Sequence, residues 1–230
     1  MLFDVRQHKT HSTYFTYMKT TTTFIAAIAT MFLIHAAKAD PKADVQLFVS
    51  GEKAVFDSTG HEKAKGVRVK LFYPKTWKAI EGARPNIIQK LVSENGTGMA
   101  MVMLQTRALP PELNRQLTDD EKKELIGEDS LKELVPDGGK LVSYKLTKLE
   151  GEPCGMLETS MIAERAGFKI AMFNIFYVVP VKGAILIIQT GFGGNATDGV
   201  EALEARYREA KPILQLIAGS CIFPDKWEKK

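Results

Sequence analysis

Hydrophobic and polar positions change period along the chain, and the changes mark its elements. Val67, Val69 and Leu71 alternate with Arg68 and Lys70, the signature of a half-buried strand, and the pattern stops at Pro74, which cannot donate to a ladder. Residues 86–92 and 99–105 form two further apolar runs around Asn95-Gly96, a pair that tolerates positive φ and predicts a hairpin. At Thr118 the period lengthens. Thr118-Asp-Asp-Glu121 is a capping box and predicts a helix carrying Leu125 and Ile126. A second short helix follows with Leu131, Leu134 and Val135 on one side, ended by Gly138-Gly139. Residues 140–149, 155–163, 168–179 and 184–190 then read as four strands whose short, turn-rich connections make neighbours antiparallel. Asp198 is placed to cap a last helix through Leu203, Tyr207 and Leu214 to about Ile217, with Pro212 kinking it or marking a new first turn. Ahead of all this, residues 40–66 read as a polar, extended N-terminal segment with one possible strand at 45–49 and a turn at 57–60. The order predicts an α+β fold: one antiparallel sheet of about six to seven strands covered by helices, an α/β/α sandwich in a single domain over residues 67–230.

The first 39 residues follow a different logic. Lys19 precedes the apolar run of residues 24–34, and Ala37-Lys38-Ala39 places small residues at the two positions a signal peptidase reads. That pattern predicts a signal peptide over residues 1–39, cleaved after Ala39, and a periplasmic or secreted mature protein. Met18-Lys19 with its four threonines would itself begin a bacterial-type signal, so translation is expected to start at Met18. The run is far shorter than the roughly twenty residues a bilayer-spanning helix needs. No cysteine lies near the cleavage site, so no lipid anchor of the bacterial lipoprotein kind is expected. Charge agrees with a bland surface. The formal net charge of +4 includes Arg6, Lys9, Lys19 and Lys38 against Asp4 in the leader, and removing these leaves about +1, too little for a nucleic-acid footprint.

An inventory of reactive groups narrows the chemistry further. Of four histidines, only His61 lies beyond residue 39, so a Ser-His-Asp or Cys-His arrangement would depend on that one side chain. Neither Cys-x-x-Cys nor His-x-x-x-His occurs, and there is no EF-hand loop, so no metal or cofactor is expected. Gly191-Phe-Gly-Gly194 reads as a strand-to-helix loop whose amides could hold an anion, although its spacing matches neither the dinucleotide fingerprint nor a Walker loop. Asp119, Asp120 and Glu121 sit at a helix start, where negative charge complements the dipole. Tyr73 and Trp77 offer rings for stacking, but aromatics beside a strand are more often core. Cys154 and Cys221 are the two cysteines, and an oxidising compartment predicts one disulfide between them, worth roughly 4 kcal/mol in the chain-entropy model.

Residues 71–77, Leu-Phe-Tyr-Pro-Lys-Thr-Trp, the Gly-Glu-Pro-Cys-Gly turn at 151–155, the hairpin over 168–190 and the segment Ala-Gly-Ser-Cys-Ile-Phe at 218–223 carry a resemblance. Across about residues 66–224 the chain resembles the PsbP-like and DcrB-like superfamily. That resemblance implies a PsbP-like sandwich and a non-catalytic accessory, chaperone or protein-binding role. The alternative is an inhibitor or immunity-type protein that blocks another protein's active site; a small hydrolase using carboxylates alone is a third. A protein partner is expected, and the connections at residues 107–118 and 191–199 are the expected surfaces, because loops on a rigid sheet commonly carry recognition. Intact-mass measurement of exported material should give a chain of 191 residues beginning at Asp40; retention of residues 18–39 would contradict the cleavage site.

Overall fold

The computed structural model describes residues 40–165, 168–196 and 199–228. The predicted cleavage after Ala39 and the predicted cap Asp198 lie outside the described residues. Seven strands form one antiparallel sheet in the order β3-β4-β5-β9-β8-β7-β6. Their ranges are β3 Lys78–Glu81, β4 Ile87–Val92, β5 Ala100–Ala108, β6 Gly139–Leu149, β7 Glu152–Arg165, β8 Phe168–Val181 and β9 Ala184–Asn195. A separate hairpin pairs β1 (Lys53–Asp57) with β2 (Lys70–Pro74). The helices are α1 (Pro41–Ser50), α2 (Asp119–Leu125), α3 (Glu128–Lys132) and α4 (Val200–Gly219). The α+β architecture and the seven-strand sheet agree with the sequence expectation.

Alternation along β9 separates the two faces. Leu186 and Ile188 belong to the main core with α1, α4 and β2, whereas Ile187 belongs to a smaller cluster with Ile126, Leu131, Leu157, Phe176 and Val178 beneath α2 and α3. Helix α4 supplies most of the main cover, with Leu203, Tyr207, Ala210, Ile213, Leu214, Ile217 and Ala218 buried at helical spacing. Pro212 lies inside α4 on its exposed side, so the helix runs through it with no new start. On the main face Glu158 of β7 pins this helix to the sheet. Its carboxylate accepts from the Tyr207 hydroxyl at 2.8 Å and from Lys211 Nζ at 2.8 and 2.9 Å, while Tyr207 stacks on Phe173 with centroids 5.0 Å apart.

Four expectations are corrected. Residues 40–66 are not an extended lead-in: they hold α1, β1 and a 3₁₀ turn at Glu62–Ala64, and Phe48 and Ala64 join the main core. Residues 45–49 are helix, not strand, because Asp40 caps α1 through a bond accepted from the Lys42 amide, Pro41 follows at the first turn, and Gly51 ends it at φ 97°. Residues 191–195 are the end of β9, not a loop. A Cβ on Gly191 would meet Asn174 Oδ1 at 3.0 Å and one on Gly193 would meet the Ala171 carbonyl at 2.9 Å, so the glycines permit close approach across the sheet. Asn174 Oδ1 in turn accepts from Gln189 Nε2, and Gln189 Oε1 from Gln105 Nε2, both at 3.0 Å, a buried amide ladder.

The last correction concerns the cysteines. Cys154 and Cys221 are free, buried thiols, not a disulfide. At 0% and 1% exposure each fills core space as a small apolar side chain. Burial pushes the Cys154 thiol up to about 12 and the Cys221 thiol higher still, which suppresses the thiolate that oxidation requires.

Replacing Glu158 by Ala should destabilise the protein by roughly 2–3 kcal/mol, because Tyr207 and Lys211 lose their charged acceptor in a largely dry setting. Tyr207→Phe should cost only about 1 kcal/mol. Urea unfolding that found the two variants equal would remove Glu158 as the anchor of α4.

Candidate functional site

The turn between β4 and β5 is built unlike an ordinary hairpin. Ser93–Gly96 forms a single helical turn with left-handed backbone inside it: Glu94 at φ 51°, ψ 50° and Asn95 at φ 53°, ψ 30°, followed by Gly96 at φ 100°. Asn95 tolerates that region, but a glutamate there is uncommon and costs about 1–2 kcal/mol. The surroundings hold it in place. The Asn95 amide donates to the Thr76 carbonyl at 2.8 Å, the Gly98 amide to the Ser93 carbonyl at 3.0 Å, and Thr97 donates to the Glu94 carbonyl from both its amide and its hydroxyl. Gly98 is obligatory, since a Cβ there would meet Ser93 Oγ at 1.9 Å.

This conformation turns the Glu94 side chain inward. Both carboxylate oxygens are buried and neither accepts a hydrogen bond from the described residues. Burial raises the carboxyl above its ordinary value of 4.5; the Arg206 guanidinium opposes the rise and the Asp44 carboxylate adds to it. Arg206 is exposed on α4, and no ion pair joins it to Glu94 among the described residues.

Glu94 lines a recess where three distant parts of the chain meet: the first turns of α1, the β2–β3 connection with the β4–β5 turn, and the middle of α4. Trp77, Met99, Phe192 and Ile213 give it apolar walls, and Asp44 and Arg206 also face it. Asp44 is already engaged. Its Oδ2 accepts from Trp77 Nε1 and its Oδ1 from the Thr76 hydroxyl, both at 2.8 Å. These bonds fix the indole as a wall. The recess encloses about 10 Å³, room for about one water and far below the range for small-molecule sites.

The residues singled out from the sequence fall elsewhere or serve the fold. His61 caps the Glu62–Ala64 turn, its Nδ1 accepting from the Lys63 amide at 3.2 Å, with its ring against Phe56. Glu121 closes the capping box with Thr118 and pairs with Arg115, which holds its carboxyl at about 2. Tyr73 and Trp77 are buried core residues, and only Trp77 reaches the recess. Among the described residues of 107–118 and 191–199, only Phe192 lines it. The sequence signalled the turn through Asn95-Gly96 but not Glu94, because glutamate carries no preference for the left-handed region. Among the described residues no group of three or more His, Cys, Asp and Glu is placed to hold a metal, and no helix is long and apolar enough to cross a membrane.

No protein-family model and no curated protein matches the chain. Solved structures do. LpqN, involved in cell envelope biogenesis of Mycobacterium tuberculosis, aligns at TM-score 0.39 and 13% identity over 77% of this chain and 94% of its own. The Saccharomyces cerevisiae Ran-binding protein Mog1p aligns at 0.44 and 8% over 74% of this chain and 95% of its own. A Bacteroides thetaiotaomicron protein aligns at 0.42 and 12% over 78% of this chain, which spans about half (51%) of that protein. At these identities the likeness is one of fold.

Replacing Glu94 by Gln should stabilise the isolated protein at pH 7, because a charge without a hydrogen-bond partner is removed from a buried position. The sign follows from proton linkage. With its carboxyl raised, the folded state holds the proton more tightly than the unfolded state, so stability falls as pH rises from the ordinary glutamate value through the raised one. The gain of Glu94→Gln should therefore be full above that window and vanish below about pH 4.5. A gain of equal size at pH 3.5 and pH 7 in thermal melts would contradict the assignment.

Proposed function

We propose that this chain is an exported, non-catalytic accessory module of the PsbP-like and DcrB-like kind that acts by binding a protein partner in the periplasm or outside the cell. The observation that carries the proposal is the Glu94 recess, where strained backbone and a buried, unsatisfied carboxylate are maintained at a cost to stability. Natural chains keep such costs where a site needs them.

A raised carboxyl in a recess is also what a general acid requires. Two features favour binding over turnover. The enclosed space, about 10 Å³, does not admit a substrate with its attacking water, and the neighbouring carboxylate, Asp44, engages both oxygens with Trp77 and Thr76. His61, the one near-neutral acid–base group beyond the leader, is occupied as a cap.

The test is site-specific photo-cross-linking in the producing cell, with the reactive amino acid at exposed Thr97 or Arg206 beside the recess, compared with the far edge of the sheet at exposed Lys145. A discrete adduct at the recess positions, absent at Lys145, is the expected result. Equal labelling at all three positions, or turnover of a substrate that Glu94→Gln abolishes, would overturn the proposal.

A further inference from the structure

Helix α4 ends at Gly219, and the chain beyond it is held in two different ways. Its root is core. Cys221 and Phe223 are buried at 1% and 5% exposure, and Ile222 exchanges both backbone bonds with Lys70. Beyond Phe223 the attachment changes character: Pro224–Lys226 is a single 3₁₀ turn, and Asp225, Lys226, Trp227 and Glu228 are all exposed, Trp227 at 71%. Little apolar area holds this end, and charge takes its place. Arg68 Nη1 donates to Asp225 at 2.8 Å and to Glu228 Oε2 at 2.7 Å, while its Nη2 donates to Glu228 Oε1 at 2.6 Å. Lys226 Nζ donates to the Glu150 carbonyl at 2.6 Å and pairs with Glu152 Oε1 at 3.1 Å, and Trp227 Nε1 donates to Glu150 Oε1 at 3.0 Å.

The Lys226 and Trp227 contacts fall on the turn between β6 and β7. Leu149 pairs with Glu152, which leaves Glu150-Gly151 as a two-residue loop at φ 50° and φ 79°. Asparagine, aspartate or glycine is the usual first residue of such a loop, and glutamate has no preference for it. Here the C-terminal segment supplies the missing support by engaging both the carbonyl and the carboxylate of Glu150. Lys226 Nζ lies so close to the turn that a Cβ on Gly151 would meet it at 3.0 Å. Glu152 carries the contact to the opposite face of the sheet: its Oε2 accepts from Lys122 Nζ of α2 at 2.5 Å, and the Lys122 side chain is only 8% exposed. One carboxylate thus joins α2 to the C-terminal segment.

We infer that Pro224–Glu228 is a releasable strap, closed by charge and opened by screening, whose state is transmitted through Glu150 and Glu152 to the β6–β7 turn and α2. Exposed ion pairs are individually weak and are screened by salt. Those of Arg68 and Lys226 act on one short segment, so they open together, while Phe223 keeps the root in the core. Opening leaves Glu150 in the left-handed region without its supporting bonds and returns Glu152 to Lys122.

The test uses the full chain, ¹⁵N-labelled, with NaCl raised from about 0.01 M to about 1 M, over which the Debye length falls from about 30 Å to about 3 Å. The protein has two tryptophans, and Trp77 is buried, so its indole N–H serves as the internal control. The Trp227 indole N–H should move toward its solvent-exposed position, the open-to-closed ratio rising about five- to tenfold. The Gly151 and Lys122 amides should follow the same curve while the Trp77 indole stays in place. Arg68→Gln and Lys226→Gln each remove a surface cation and should reproduce at low salt the shifts the parent shows at high salt. A Trp227 signal indifferent to salt and to both substitutions overturns the strap, as does a Trp77 signal that moves in parallel. A Trp227 response that Gly151 and Lys122 do not follow overturns the transmission to α2.

Discussion

Everything in this molecule leans on the way one helix is laid across the main face of the sheet. Helix α4 brings a stripe from Leu203 to Ala218 down onto β5, β8 and β9, and apolar burial of that kind is worth about 25 cal/mol per Å². Such burial is non-directional and would accept several rotations of the helix. The directional element is Glu158, whose hydrogen bonds to Tyr207 and Lys211 specify one rotation. With that rotation fixed, Arg206 and Ala210 line the recess with the β4–β5 turn, and α1 packs against α4. The position of the recess therefore follows from helix placement: its floor is core, and its rim is formed by α1, α4 and the turn.

The free cysteines fit the same frame. Cys154 opens β7 and Cys221 follows the end of α4, so both lie in the core that helix placement creates. A bridge would add covalent constraint where the apolar packing already acts, while deep burial withholds the thiolate through which a bridge forms. At the helix end the polar bonds are of another kind: Ser220 Oγ accepts from the Phe72 amide, and Ile222 exchanges both backbone bonds with Lys70. The chain thus leaves α4 stitched to β2 by backbone and hydroxyl bonds.

How much of this was legible in the sequence depended on whether each signal was local. The Thr118 capping box, the alternation of residues 140–190 and the short antiparallel connections were all readable, because each is settled within a few residues. Helix α1 was readable and misjudged: Asp40-Pro41 and Gly51 are ordinary start and stop signals, but the alternation of Val45, Leu47 and Val49 drew the strand assignment. The four-residue β3 was missed, since an edge strand burying only part of Ile80 leaves little pattern. Gly191 and Gly193 misled for a different reason. Glycine marks both loops and close approaches, and only the presence of Asn174 and Ala171 across the register decides between them. Glu94 was illegible altogether. It lines the recess together with Pro41 and Arg206, which no local pattern connects to it.

The separation of these contributors has an energetic consequence. The recess walls come from residues 41–44, 77–100 and 192–213, so the site exists only when α1 is docked and α4 is in place. A group that satisfies Glu94 binds that assembled state and no state in which α1 has peeled away. By mass action its binding free energy is added to the docking of α1, by RT ln(1 + [L]/Kd). Without such a group the balance is opposite: a buried charge at Glu94 and left-handed backbone at Glu94 and Asn95 both work against the docked form. A group that satisfied Glu94 would therefore act on this equilibrium with the sign opposite to the strain.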